Sequence, residues 1–114
     1  MEDPLPNRAC QPCRKDSPSA TAEERERFLR DLPEWTVRTV DGEDRLHRVF
    51  RFRNFAEALS FTNRIGAMAE EEGHHPLLTT EWGRVTVEWW THKIGGLHRN
   101  DFILAARTDR AYGP

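Results

Sequence analysis

Cysteine is scarce in this chain. Only Cys10 and Cys13 occur among 114 residues, too few to frame a disulfide-built fold. Long apolar runs are missing as well, and none approaches the ~20 residues that a bilayer-crossing helix needs. The opening stretch MEDPLPNRACQPCRKDSPS has no apolar region of the kind a secretory leader carries. An excess of one charge is also lacking: 17 Lys+Arg against 19 Asp+Glu leave a net charge of −2. That gives no electrostatic footprint for nucleic acid. The expectation is one cytoplasmic domain with neither a membrane nor a nucleic-acid partner, since ~100–150 residues suit a single core.

What is present is polar for a globular domain, at 37% hydrophobic and 32% charged. Four Trp and six Phe must therefore supply much of the core or of a subunit interface. Residues 1–20 hold four of the seven prolines, both cysteines and few large apolar side chains. Such a segment is expected to stay a flexible tail. The folded domain is expected over 21–110, with 111–114 as a C-terminal tail.

Thr21-Ala22-Glu23-Glu24 has the spacing of a helix capping box, and Pro33 stops that helix after about Leu32. Trp35, Val37 and Thr39 alternate with polar residues as a half-buried strand does. After the Asp41-Gly42 turn, Leu46, Phe50 and Phe52 share one parity within 45–53, giving a second strand. Asn54 and Glu57 form another capping box and open a helix to about Glu72, with Phe55, Ala58, Leu59, Phe61, Ile65, Met68 and Ala69 on its apolar face. Gly73 sits where a left-handed cap is expected. A third strand over 77–81 turns at Trp82-Gly83 into a fourth over 84–91, with Val85, Val87 and Trp89 on one side. A last helix runs over about 99–108. The predicted fold is α+β, a four-stranded antiparallel sheet with three helices packed on one face, in the order α-β-β-α-β-β-α.

Four of the five histidines, His74, His75, His92 and His98, fall within one short stretch around the last two strands. His74-His75-Pro76 follows a helix end, and Pro76 holds His75 extended. His92 ends the fourth strand before Gly95-Gly96. Imidazoles titrate near neutral pH, so several around one pocket suit proton transfer. Other readings remain open for single residues. The His pair also suits a helix C-terminus, and Asp101 suits the third position of a helix capped at His98. Glu70 belongs to an acidic run that suits a solvated face, and Trp82, Trp89 and Trp90 suit packing. Cys10-x2-Cys13 is half a zinc knuckle. Completing it would take His47 or a second subunit, so no metal is expected.

The run Glu70-x3-His74-His75-Pro76-x5-Trp82-x9-His92-x8-Asp101 resembles the signature of the pterin-4a-carbinolamine dehydratases. Thr91-His92, Gly96-Leu97 and Asp101 repeat that family's TH…GL…D block. Phe50-x-Phe52-x-Asn54-Phe55 is similar to its strand-to-helix junction, and GHHP, LTTEWGRVTVEWW and GLHRNDFI read like the bacterial branch. The resemblance spans about residues 21–110. It implies dehydration of a 4a-hydroxytetrahydropterin to the quinonoid dihydropterin, recycling the cofactor of an aromatic amino-acid hydroxylase such as phenylalanine hydroxylase. It implies histidine acid/base chemistry with no bound cofactor. His74, His75 and His92 are the catalytic set, supported by Asp101 and Glu70, with Thr91 and Trp82 against the substrate. The expected roles are His75 as acid to the hydroxyl, His92 as base near N5, and His74 as the group that polarises the ring.

Leu78 and Thr80 replace an aromatic and an Asn common in vertebrate-type members, which bears on the pterin side chain preferred. The family also implies a homo-oligomer, a dimer or tetramer, and an exposed edge strand points the same way. The alternative function is a non-catalytic assembly or transcriptional-cofactor module on the same fold; the complete His-His…His set favours the enzyme.

Overall fold

A computed structural model describes residues 3–113 of the chain. Its elements are α1 (Ala22–Leu29), β1 (Thr36–Val40), β2 (Glu43–Arg51), α2 (Phe55–Glu72), β3 (Leu77–Glu81), β4 (Arg84–Trp89) and α3 (Arg99–Tyr112), with short 3-10 turns at Leu5–Asn7 and His92–Ile94. The strands form one antiparallel sheet in the order β1-β2-β4-β3. This is the α+β architecture that the periodicities predict.

Local chemistry sets the element ends. Thr21 Oγ1 accepts from the Glu24 N–H at 3.1 Å while Glu24 accepts from the Thr21 N–H at 3.0 Å, closing the capping box. Helix α1 stops at Leu29, short of the expected end, yet Leu32 is still carried into the core by the turn that follows. Asn54 caps α2 by accepting from the Glu57 N–H at 2.8 Å. The reciprocal bond expected from Glu57 is not made, because its carboxylate turns to the N–H and guanidinium of Arg53.

Register decides the core. Leu46 faces Trp89 and Phe50 faces Val85 across the β2–β4 ladder, so all four share the buried side of the sheet. Phe50 lies at the centre, with the rings of Phe61 and Tyr112 each 4.9 Å away and Trp35 at 6.0 Å. Two expected core residues of α2 are outside: Phe55 is 45% and Leu59 42% exposed. The buried stripe instead runs through Ala58, Phe61, Ile65 and Ala69, a tighter 3–4 spacing that leaves Phe55 and Leu59 on its flank.

The segment expected as a flexible tail lies against α3. Residues 1, 2 and 114 of the expected tails fall outside the described residues. Leu5 is buried, Arg107 donates to the carbonyls of Pro6 (3.0 Å) and Arg8 (2.6 Å), and the Ala20 N–H donates to the Leu97 carbonyl at 2.8 Å. The reason is α3 itself. Phe102, Ile103, Leu104, Ala105 and Ala106 are buried in succession, so this middle stretch of the helix is apolar all round and needs cover on the side away from the sheet. Helix α3 also continues to Tyr112, beyond the expected end, and the Tyr112 hydroxyl donates to the Arg51 carbonyl at 2.9 Å.

The opposite sheet face carries a charged cluster. Glu88, 4% exposed, is bonded by His47 Nδ1 (2.7 Å), Arg45 (3.0 Å) and Arg38 (3.4 Å). Burial pulls the Glu88 carboxyl upward, but the bonds from His47 and Arg45 outweigh it and hold the group below the ordinary carboxylate range. His47 is thereby committed to Glu88, and among the described residues no group of three or more His, Cys, Asp or Glu is placed to hold a metal ion.

Candidate active site

Three chain turns meet at one end of the sheet around a cavity of about 520 Å³. The first is the end of α2. Gly73 adopts a left-handed backbone, φ +60°, and its N–H and that of His74 close back onto the last helical carbonyls. This reversal sends His74 inward and leaves His75 exposed. The second turn follows β4. Thr91 and Gly96 exchange backbone bonds at 2.8 and 3.4 Å, pinching off the loop that presents His92. Gly95 makes that loop possible through a φ of +62°. The third is the start of α3, which contributes Asn100.

Asp101 ties the turns together from beneath. It is fully buried, and its carboxylate takes three contacts: His74 Nε2 at 2.7 Å, the Thr91 hydroxyl at 2.8 Å and the His98 N–H at 2.8 Å. The last bond is also half of the α3 capping box, so the carboxylate that caps the helix is the one that reaches His74. A carboxylate only accepts. His74 therefore donates from Nε2, which in the neutral ring makes Nδ1 the acceptor. The His74 ring packs beside buried Trp89, 5.9 Å between centroids.

The other two imidazoles are held more loosely. His75 Nε2 lies 3.1 Å from a Glu70 oxygen in a solvent-exposed pair. His92 stacks on Trp90 with centroids 4.5 Å apart and planes at 19°. Trp90 in turn is covered by the Arg45 guanidinium, 3.8 Å from the ring centroid, which Glu88 anchors on the open sheet face. His98 lies beside the site as the cap of α3, its Nδ1 accepting from the Asn100 N–H at 3.0 Å. Burial pushes the His98 pKa below its ordinary value.

Of the expected residues, His74, His75, Thr91 and His92 line the cavity. Asp101 acts from behind His74, and Glu70 reaches the site only through His75. Trp82 does not belong to it. It is 73% exposed at the β3–β4 turn, and the five residues of β3, at ~3.4 Å each, separate it from the histidine end. Periodicity alone did not identify the N-terminal wall. Cys10, Gln11, Pro12 and Cys13 line the cavity, with Trp90, Lys93 and Asn100. The wall is pinned through its backbone: Asn100 Oδ1 accepts from the Gln11 N–H at 2.9 Å, its Nδ2 donates to the Gln11 carbonyl at 2.5 Å, and Lys93 Nζ donates to the Cys13 carbonyl at 3.1 Å. The readable signal is the unbroken apolar stretch 102–106 in α3, which the sheet covers on one side only.

The model of the family described as pterin 4 alpha carbinolamine dehydratase matches residues 18–111. The chain is 61% identical over 105 residues to a protein of Syntrophotalea carbinolica, covering 92% of this chain and 94% of that one. It is 55% identical over 108 residues to one of Marinobacter nauticus, covering 95% and 97%. Both are provisionally named pterin-4-alpha-carbinolamine dehydratases. The crystal structure of a transcriptional coactivator/pterin dehydratase from Brucella melitensis superposes with a TM-score of 0.74 at 30% identity, over 84% of this chain and all of that one. With its histidine-lined cavity, its four-stranded sheet and a family match across nearly the whole folded part, the chain belongs to the pterin-4-alpha-carbinolamine dehydratase family.

Proposed function

We propose that this protein dehydrates 4a-hydroxytetrahydropterin to the quinonoid dihydropterin, returning the cofactor of an aromatic amino-acid hydroxylase to use. The observation that carries the reading is the convergence of His74, His75 and His92 on one cavity, with the buried Asp101 carboxylate fixing the His74 ring. The reaction removes the proton on N5 and delivers one to the departing 4a-hydroxyl, which leaves as water; no electrons are exchanged. It needs one base and one acid on a bound bicyclic ring, within ~3 Å of the atoms concerned.

His75, exposed and backed by the Glu70 carboxylate, serves as acid to the hydroxyl. His92, stacked on Trp90, serves as base near N5. His74, locked by Asp101, orients and polarises the ring. A cavity of about 520 Å³ suits a ligand of this size. The protein is proposed to work as a cytoplasmic homo-oligomer. The exposed Phe55 and Leu59 on one flank of α2 and the open edges of β1 and β3 support self-association, which sedimentation would measure.

The test is to add the purified chain to a phenylalanine hydroxylase reaction and follow loss of the 4a-carbinolamine. Acceleration proportional to added protein is expected. A decay rate equal to the uncatalysed one would remove the enzyme reading and leave a binding module on this fold.

A further inference from the structure

The wall of the cavity carries a second chemistry that proton transfer on a pterin does not use. Cys13 Sγ lies 4.0 Å from His74 Nδ1, the nitrogen left as acceptor because Asp101 holds Nε2. Asn100 Nδ2, whose other hydrogen is spent on the Gln11 carbonyl, donates to the same sulfur at 3.2 Å. Asn100 is itself 2% exposed, and the Gln11 backbone is bonded to it on both sides, so the sulfur is held in place by the fold. Cys13 thus has a carboxylate-oriented imidazole beside its thiol as a base and an amide N–H on its sulfur, while the Gln11 carbonyl lies 3.9 Å away on the same wall.

Cys10 is a different kind of thiol. It is half-buried, and burial, helped by the Glu72 carboxylate, pushes its pKa up to about 11. At neutral pH it stays protonated and reacts slowly. It lines the same cavity three residues before Cys13, and is thereby the thiol at hand to attack a disulfide formed on Cys13.

We propose that Cys13 is a reactive-thiol modification site that takes low-molecular-weight disulfides, with Cys10 as its resolving partner. His74 Nδ1 accepts the Cys13 proton, and the thiolate attacks one sulfur of the incoming disulfide. A new S–S bond forms on Cys13, the reagent's own S–S bond breaks, and the departing thiolate takes up a proton. Cys10 then loses its proton and attacks the Cys13 sulfur, releasing the second small thiol and closing a Cys10–Cys13 disulfide. Two protein thiols are oxidised and one external disulfide is reduced to two thiols, so no other oxidant is needed. The proposal stands on the thiol geometry and not on the pterin reading.

The experiment treats the reduced full-length chain with excess glutathione disulfide, quenches with acid at intervals and reads intact and peptide masses. Cys10→Ser is expected to accumulate one glutathione adduct on Cys13. The unaltered chain is expected to pass through that adduct to the internal disulfide. In Cys13→Ser, Cys10 is expected to react at least about tenfold more slowly than Cys13 does in Cys10→Ser. Combined with Cys10→Ser, His74→Gln is expected to slow adduct formation about tenfold. Asn100→Ser, which leaves His98 and Asp101 to cap α3, is expected to slow it several-fold in the same background. Cys10 reacting as fast as Cys13, or a Cys13 rate unchanged by both His74→Gln and Asn100→Ser, would overturn the proposal. Adduct formation is read by mass alone, so failure here leaves the dehydratase assay untouched, and failure there leaves this result standing.

Discussion

Replacing Asp101 by Asn changes one atom at the point where the three turns of the site are joined. The amide oxygen can still accept from the Thr91 hydroxyl and the His98 N–H, which now meet at Oδ2. The NH2 group then takes the place of Oδ1 and meets His74 Nε2, now 2.7 Å from that oxygen. Donor faces donor unless His74 moves its proton to Nδ1, so the substitution reverses the tautomer and gives up a charge-assisted bond in a dry site. The loss is about 2 kcal/mol. At ~2.1 cal/mol/K per residue this corresponds to a fall in Tm of about 8 °C for 114 residues. Turnover of the carbinolamine is expected to drop about 100-fold, because an imidazole in the wrong tautomer presents the wrong group to its substrate. Thermal melts and the hydroxylase-coupled assay read the two effects separately. Asp101→Ala also removes the α3 cap and is expected to cost about 1 kcal/mol more. An Asn variant that melts within about 2 °C of the parent and keeps its rate within about threefold would refute the reasoning.

Trp90→Leu removes the surface on which His92 stacks, and is expected to lower kcat about two- to tenfold with little change in Tm, as steady-state kinetics beside a melt would show. Burial holds the His98 pKa below 6.5, so the unfolded chain binds the extra proton first and stability falls as pH drops below 6.5 toward the folded pKa. His98→Ser keeps a capping oxygen and removes that titration, so urea unfolding midpoints across this window should decline less steeply than in the parent. Leu5→Ala should cost about 2 kcal/mol and make the N-terminal segment sensitive to brief proteolysis; no change in either would mean that the segment does not cover α3.

Much of the fold was legible because few signals competed. The caps at Thr21 and Asn54, the left-handed Gly73 and the parity of Leu46 and Phe50 each point the same way in sequence and structure. The α2 stripe was less legible. Phe55 and Leu59 are as apolar as Phe61 and Ile65, and only the packing of Ala58 and Ala69 against the core decides which face turns inward. The histidine end of the site could be read from spacing, since His74, His75 and His92 flank turns that a Gly and a Pro enforce. The N-terminal wall could not. Composition reads Pro-rich polar chain as disordered, whereas here the stabilisation comes from distant partners: Asn100 on Gln11, Arg107 on Pro6 and Arg8, and the bare side of α3 under Leu5. Trp82 misled for the opposite reason. It sits within the motif run, but the length of β3 carries it away from the cavity.

The central claim is that three imidazoles at this cavity carry the dehydration, His75 and His92 by proton transfer and His74 by orienting and polarising the ring. Its most direct test is the rate of carbinolamine loss for His74→Ala, His75→Ala and His92→Ala, each confirmed as folded by its melt. The account predicts at least about tenfold slower turnover in every variant, with the effect in kcat more than in KM for His75 and His92. Three folded variants that all retain the parent rate within about tenfold would contradict it.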